Sequence, residues 1–419
     1  MKTIVKRKIS LIVILLQLVV SVLFCIYVGT LGAIPMKYLV ALVIVAVLLL
    51  VYQIMSQATD SSYIFGRVLA LVFGMVFFVG AKYMNESMAA LQDVGGATMK
   101  VDIISFYVLN DDPAKTIADA KDYTYGILSM QDRENTDKAL AEAKSKAGKD
   151  LKIMEFDDSL TLVDALYAKE IQVAVINQSF LNPIKDKYVS FTKDTRELEN
   201  SEIQTEVEEE IIDTDVTTKP FNVYISGIDV YGKIGQTSRS DVNIIATVNP
   251  VTKKILLTST PRDYYVPLYT KGGKSYSGGM PDKLTHAGIY GVDCSMNTLE
   301  KLYDIDIDYY VRVNFTSLKK IVDLLGGVEV YSDSDFISDW GPHGAGTHYK
   351  FKKGYNKVNG KKALAFCRER HHFANGDYQR GRNHQHMIEA ILNKVMSPSI
   401  LRNFSKLLKE SKHMFQTSM

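Results

Sequence analysis

Three apolar runs at the start of the chain constrain it more than any other feature. They are Ile9 to Gly29, Tyr38 to Met55 and Ile64 to Ala81. At about 1.5 Å per helical residue, each can cross a hydrocarbon layer of about 30 Å. A chain that begins this way is a membrane anchor with its remaining domains hung from it. The first run lacks a small-residue cleavage site and two more runs follow it, so a removed leader is the weaker reading. Lys2, Lys6, Arg7 and Lys8 precede the first run, and only Lys37 stands in the loop after it. The positive-inside rule therefore keeps the N-terminus in the cytoplasm. Three crossings then carry everything after about residue 82 outside, making a multi-pass protein of the cell membrane with an extracellular C-terminal domain. Arg67 falls one turn inside the third run, close enough to the cytoplasmic surface to snorkel there as an anchor.

Beyond the anchor, residues 1–82, the pattern divides the chain three ways. Residues 95–191 read as a small α/β accessory domain. Its strands are VDIISFYVL, LKIMEF and IQVAVIN. Its helices run from Asp132 to Lys149, ended at Gly148, and from Ser159 to Lys169, capped by Asp158 or Ser159. It carries no catalytic constellation. Residues 192–219 carry RELENSEIQTEVEEEIIDTDVTTK, acidic, poor in aromatics and closed by Pro220, and read as a solvated linker. Residues 220–419 alternate strands with helices. FNVYISG, SDVNIIATV, KKILLTST, VEVYS and KALAFCRER read as strands. VNFTSLKKIVDLLGG and RNHQHMIEAILNKVM read as helices. The fold class is α/β: a mixed central sheet covered by helices, behind the transmembrane segments and the accessory domain.

Several chemistries are excluded. With 49 basic against 47 acidic side chains, bulk charge does not mark a nucleic-acid binder. Three cysteines, Cys25, Cys294 and Cys367, are too few for a disulfide framework, and the latter two read as buried free thiols. Neither a GxSxG elbow nor a Walker loop occurs. His371, His372, His384 and His386 have no spacing of a known zinc site.

What remains is the placement of arginines and aspartates. Asp229 stands just past the FNVYISG strand. Arg239 and Asp241, two apart at the start of the next strand, share one face. Arg262 follows KKILLTST. Arg368 and Arg370 are two apart at the end of KALAFCRER. Asp377, Arg380 and His384 open the last helix on one side of it. Strand ends and helix starts are where α/β folds build ligand sites. The arginine fork matches phosphate oxygens. Five arginines in one pocket repel one another strongly without an anion, and a pyrophosphate would supply it. Asp229 and Asp241 suit a hard divalent cation such as Mg2+. Any one of these pairs, taken alone, reads better as a surface ion pair.

The set as a whole reads otherwise. The strings SGID, SRSDVNIIATVNP, LLTSTPRDYYV, DKLTHAG, YYVRVNFTSLKKIVDLLGGVEV, ALAFCRER and GDYQRGRN follow in this order between Phe221 and Met419, and this stretch resembles the LytR-CpsA-Psr domain. Three spans followed by an accessory domain are most similar to its capsule-associated CpsA branch. The resemblance implies a phosphotransferase that moves a glycopolymer, here capsular polysaccharide, from an undecaprenyl-pyrophosphate carrier to peptidoglycan. It also implies Mg2+ assistance and a pyrophosphatase side activity. Carried onto this sequence, it makes Asp229 and Asp241 the metal carboxylates. Arg239, Arg262, Arg368, Arg370 and Arg380 become the pyrophosphate arginines, Arg239 and Arg262 with a catalytic share. Lys283 falls near the head group. Asp377 becomes the acid that activates the acceptor hydroxyl or orients the arginines. His384 stands where the family usually has a glutamine, which leaves the histidine as the contact there. The chain stops at QTSM, where further residues are expected, so the domain reads as short or truncated. The apolar strands and the LKKIVDLL helix would line a prenyl tunnel, or equally any core.

Two rivals belong to other classes. A membrane-bound regulator of capsule or wall genes would have to bind nucleic acid with an N-terminal tail of about eight residues and a loop at 53–63 without a basic side chain. That is too little for several phosphate contacts. A passive polymer-binding protein would show no turnover.

Overall fold

The computed structural model describes residues 2–30, 36–56, 63–95, 99–129, 131–206, 216–231, 234–270, 272–276, 279–339, 348–397, 400, 404–411 and 414–419. The chain forms two compact units, Met1–Asp93 with Asn403–Lys409, and Val94–Arg402 with Glu410–Met419.

The first unit is built on helices α1 (Lys2–Thr30), α2 (Met36–Ser56) and α3 (Tyr63–Gly95). Their stretches Leu11–Gly29, Tyr38–Ser56 and Ile64–Glu86 are long and apolar enough to cross a membrane. Large apolar side chains point outward along all three, Met75 being 70 % exposed. Such a surface is costly in water, whereas each Leu or Ile gains about 0.3–0.6 kcal/mol at the centre of a bilayer. These helices anchor the chain in a membrane.

The second unit starts with β1 (Met99–Leu109), β2 (Thr124–Leu128), α4 (Arg133–Ala147), β3 (Lys152–Phe156), α5 (Ser159–Tyr167), β4 (Val173–Asn177), α6 (Leu181–Lys187), α7 (Phe191–Asp194) and β5 (Thr195–Glu206). The strands form one sheet in the order β3-β2-β4-β1-β5. Gly148, at φ 70°, ends α4, and the Asp158 carboxylate caps α5 by accepting from Leu160 N and Thr161 N.

Here the structure corrects the sequence reading. Residues 195–206 are not a linker; they pair with β1 along its full length, from Leu109↔Thr195 to Met99↔Glu206. The reason lies in alternation. Ser201 and Ile203 turn inward while Glu202 and Gln204 face solvent. A charged outer face is how an edge strand stays soluble, and composition alone mistakes it for a linker. The accessory domain therefore extends to residue 206, and the acidic run at 207–215 lies outside the described residues.

The rest comprises β6 (Phe221–Ile228), β7 (Ser240–Asn249), β8 (Lys254–Ser259), β9 (Tyr265–Pro267), β10 (Pro281–Lys283), α8 (Leu284–Ala287), α9 (Val292–Tyr303), β11 (Tyr309–Asn314), α10 (Phe315–Leu324), β12 (Val328–Ser332), β13 (Phe336–Ile337), β14 (Lys350–Phe351), β15 (Gly354–Val358), α11 (Gly360–Arg368), α12 (Asp377–Val395) and β16 (Gln416–Thr417). Its central sheet has the order β16-β11-β6-β7-β8, with β11 parallel to β6 and the other neighbours antiparallel. The pleat sorts the side chains. Tyr224, Ile245 and Tyr310 face a core shared with α8 and α9. Val223, Ile225, Ala246, Val311 and Val313 face the opposite side and a cavity.

KALAFCRER also differs from expectation: Gly360–Arg368 is helix α11. Its run Ala363–Cys367 is buried throughout, and a short apolar run does not by itself separate strand from helix. The preceding Asn359 decides, because its side chain caps the helix by accepting from Lys362 N at 3.0 Å. The helix in VNFTSLKKIVDLLGG is as expected from Phe315 on, capped by Asn314 and stopped at Gly326 and Gly327, which take φ 73° and 87°. Cys294 and Cys367 are buried free thiols.

Candidate functional site

The cavity on the open face of the central sheet has a volume of about 710 Å3 and two halves of different chemistry. One half is apolar. Its floor is the inward pleat of β6, β7, β8 and β11, and its roof is Leu318, Ile321, Leu364, Met387 and Ile391 from α10, α11 and α12. The other half is polar and lies where β6 ends and β7 begins.

A register shift at Gly227/Ile228 sits at that place. Such an irregularity re-aims the residues beside it. Asp229 N donates to Arg239 O at 3.4 Å, so the carboxylate and the arginine come from facing chains. On β7, the Asp241 carboxylate accepts from Arg262 Nη1 at 2.7 Å and from Thr285 Oγ1 at 3.1 Å. Lys283 Nζ stands 3.4 Å from Asp263. Arg368 ends α11 with its guanidinium 4.5 Å from the centre of the Phe315 ring. Glu369 is extended, so it turns away from the cavity and accepts from Asp339 N and His372 N, while Arg368 and Arg370 both face inward. The two-apart spacing thus works at a helix end rather than in a strand.

Asp229, Arg239, Asp241, Arg262, Lys283, Arg368, Arg370, Arg380 and His384 all line the cavity. Asp377 does not. It pairs with Arg380 across one helical turn and lines an adjoining hollow of about 360 Å3 that shares Asp241, Arg262, Arg380 and His384 with the first. His371 reaches the cavity, whereas His386 turns to Asp333 at 3.3 Å. The sequence reading missed Asp186 of the accessory domain, which also lines the cavity and pairs with Arg239 Nη1 at 3.1 Å. No pattern around Asp186 singles it out; only the packing of α6 brings it there.

The electrostatics are those of an anion site. Six cationic side chains face four carboxylates, a surplus of two positive charges. Arg239 Nε is buried without a hydrogen-bond partner, and Arg262 Nε has the Asp263 carboxylate only at 3.7 Å, too far for a hydrogen bond. A buried donor left unmade costs about 1–3 kcal/mol, which an anion accepting from it would recover. Burial depresses the Arg380 pKa, countered by Asp377 and Asp241 and reinforced by Arg262 and Arg370. Burial pushes His384 down to about 4, with Arg380 adding to the effect, so the ring is neutral and Nε2–H donates to Cys367 O at 2.8 Å.

Asp229 is the group to weigh for a metal. Burial and then Asp241 raise its pKa, against the pull of Arg368, Arg239 and Arg262. A carboxylate held in the unfavourable field of a second carboxylate suits an added cation. Among the described residues no group of three His, Cys, Asp or Glu could hold a metal. Mg2+ needs no such trio, since it takes one or two carboxylates and completes its shell with phosphate oxygens and water. Asp229 and Asp241 would hold it.

The LytR_cpsA_psr family matches residues 186–419, more than half of the chain. The chain belongs to the LytR_cpsA_psr family. Among its relatives is the polyisoprenyl-teichoic acid–peptidoglycan teichoic acid transferase TagU of Bacillus licheniformis, 35 % identical over 201 residues, which are 48 % of this chain and 60 % of that protein. Biofilm regulatory protein A of Streptococcus mutans is 32 % identical over 207 residues, 48 % of this chain and 50 % of that one. Among solved structures, TagV of B. subtilis matches at 30 % identity and a TM-score of 0.41, covering 48 % of this chain and 74 % of that one. The chain thus spans about 60 % of the length of the curated TagU relative. The matched stretch contains every site residue the sequence reading proposed, and it begins at Asp186.

Proposed function

We propose that this chain is a phosphotransferase that moves a glycopolymer, capsular polysaccharide by its similarity to the CpsA branch, from an undecaprenyl-pyrophosphate carrier to peptidoglycan outside the cell. One observation carries the reading: six cationic side chains from five segments converge at one end of a cavity whose other end is apolar. A prenyl pyrophosphate is a ligand of that shape, an apolar tail joined to a doubly phosphorylated head. The names of the TagU relatives support a wall polymer as cargo.

In this reading the tail lies along the inward pleat and the head among Arg239, Arg262, Arg368, Arg370 and Arg380. Lys283 and His384 border the head. An acceptor sugar hydroxyl attacks the phosphorus that bears the polymer. A new P–O bond forms, the bond to the bridging oxygen breaks, and prenyl phosphate leaves with the electron pair. The hydroxyl proton passes to the Asp377 carboxylate, which also holds Arg380. Donors fixed in advance where charge grows lower the barrier most, and Arg239 and Arg262 are such donors. Mg2+ held by Asp229 and Asp241 would neutralise phosphate oxygens. With water as acceptor, the same step is a pyrophosphatase side reaction.

The test is reconstitution. The purified full-length chain in detergent, given a prenyl-pyrophosphate oligosaccharide and peptidoglycan fragments, should yield a glycan–peptidoglycan phosphodiester and free prenyl phosphate, both lost with EDTA. Binding without release of prenyl phosphate would make this a passive polymer-binding protein. The alternative of a membrane-bound regulator draws on the name of the Streptococcus mutans relative, biofilm regulatory protein A. It predicts altered wall-gene transcripts with polymer attachment intact in an Arg262→Ala strain.

A further inference from the structure

We infer that the accessory sheet positions Arg239, with Thr237 and Asp102 as the positioning residues. The inference rests on the reading that Arg239 meets the pyrophosphate. It gives residues 99–206 a part in the site, although they carry no catalytic pattern of their own.

The short segment before β7 is gripped from two sides. On one side stands β1. Val101 N donates to Gly235 O at 3.0 Å, and Val101 and Gln236 form a parallel bridge. Thr237 Oγ1 donates to Asp102 Oδ1. Asp102 is only 1 % exposed, and three further donors hold it. Asn135 Nδ2 on α4 and Asn177 Nδ2 at the end of β4 each lie at 3.1 Å, and Lys100 Nζ at 3.0 Å. A buried carboxylate with so many partners is a fixed point.

The central sheet and α8 supply the other side. Arg312 of β11, 3 % exposed, donates to Gln236 O at 2.9 Å and to Gln416 Oε1 at 3.3 Å. Gly288, just after α8, packs so closely that a Cβ would lie 2.6 Å from both Ser238 O and Ser240 N. The backbone that carries Arg239 is therefore closed in along its length. The side chain is met by the accessory domain a second time, through Asp186 of α6.

An arginine loses much rotamer freedom when it is fixed on a ligand. Fixing its backbone beforehand removes part of that cost from the binding step. Asp102, Asn135 and Asn177 all lie outside the stretch 186–419 that matches the family. The grip is thus a property of the accessory domain, and its loss should act on the ligand only through Arg239.

A double-mutant cycle with farnesyl pyrophosphate as probe tests this on the full-length chain in detergent. Thr237→Val removes the donor at constant shape and should weaken binding about fivefold or more, the loss of one hydrogen bond's worth of ordering. Thr237→Ser keeps the hydroxyl and should restore binding. In an Arg239→Ala background, Thr237→Val should have no further effect. Additive losses, or unchanged binding in Thr237→Val while Arg239→Ala binds poorly, overturn the inference and leave the pyrophosphate site standing. Unchanged binding in Arg239→Ala overturns that site, and the inference with it. If Thr237→Val melts well below the parent, Asp102→Asn goes through the same cycle, read by the same criteria.

Discussion

Single residues carry the sharpest expectations because the arginines differ in what holds them. Arg370 donates weakly to His371, at 3.4 Å, whereas Arg368 stacks on Phe315. Arg370→Ala should leave the ligand-free melting temperature unchanged or raised, since it relieves like-charge crowding. Arg368→Ala should cost about 0.5–1 kcal/mol of stacking. Both should reduce prenyl pyrophosphate binding at least tenfold, a charge-assisted contact being worth about 1.5–3 kcal/mol. Calorimetry and thermal melts together check the pair, and equal melting behaviour with intact binding would reduce the site to a basic patch. The aspartates should split likewise. Asp241→Asn weakens the hold on Arg262 and should destabilise the fold, whereas Asp229→Asn removes a carboxylate disfavoured by burial and should not. Both should abolish Mg2+-dependent turnover. His384 gives a pH expectation. Its pKa falls from 6.5 to about 4 on folding, so between these values the unfolded chain binds the extra proton. Stability from this group is complete above about pH 6.5 and is lost as pH falls toward 4, by at most about 1.4 kcal/mol per pH unit. His384→Gln should flatten urea-derived stability across that window relative to the parent. Asp229 works with the opposite sign in both proteins, so the difference isolates the histidine. The sequence marked these residues as a set through the family-like strings that carry them, and the structure brings them to the lining of one cavity. Asp186 was not so marked, because an aspartate on an exposed helix is common and only tertiary packing gives this one a partner.

Elements were legible where periodicity and caps agreed. Gly148, Asp158 and Gly326 mark helix ends that hold in the structure. The two failures share a cause, since each needed a neighbour to decide it. KALAFCRER is apolar enough for a strand or a helix, and Asn359 settles it by capping. Strand β5 looks like linker by charge and is a strand because β1 offers a full edge to pair with. A direct check uses its two faces. Ile203, 6 % exposed in the accessory core, should cost about 3 kcal/mol or more when changed to Asp, by burying an unpaired polar group. Its outward neighbour Gln204 should tolerate Lys within about 0.5 kcal/mol. Denaturant titration reads both, and a true linker would tolerate both.

At the scale of the whole molecule, three helices are long and apolar enough to cross a membrane, and basic residues precede the first. Three crossings would put the two ends of the anchor on opposite sides. A cysteine placed at Val251, 71 % exposed, should react with a membrane-impermeant maleimide on intact cells, and labelling only after lysis would sink the wall-polymer reading. The native thiols Cys294 and Cys367 are buried and should stay silent. The two-part cavity has a kinetic consequence as well. The apolar half would hold the prenyl tail equally before and after transfer. Each Å2 of tail buried contributes about 25 cal/mol to substrate and spent carrier alike, so it gives affinity without acceleration. Discharge of the used carrier should then be the slow step. Rapid-quench traces should show one fast turnover per enzyme followed by a slower steady state, and added prenyl monophosphate should compete with the donor for the same space.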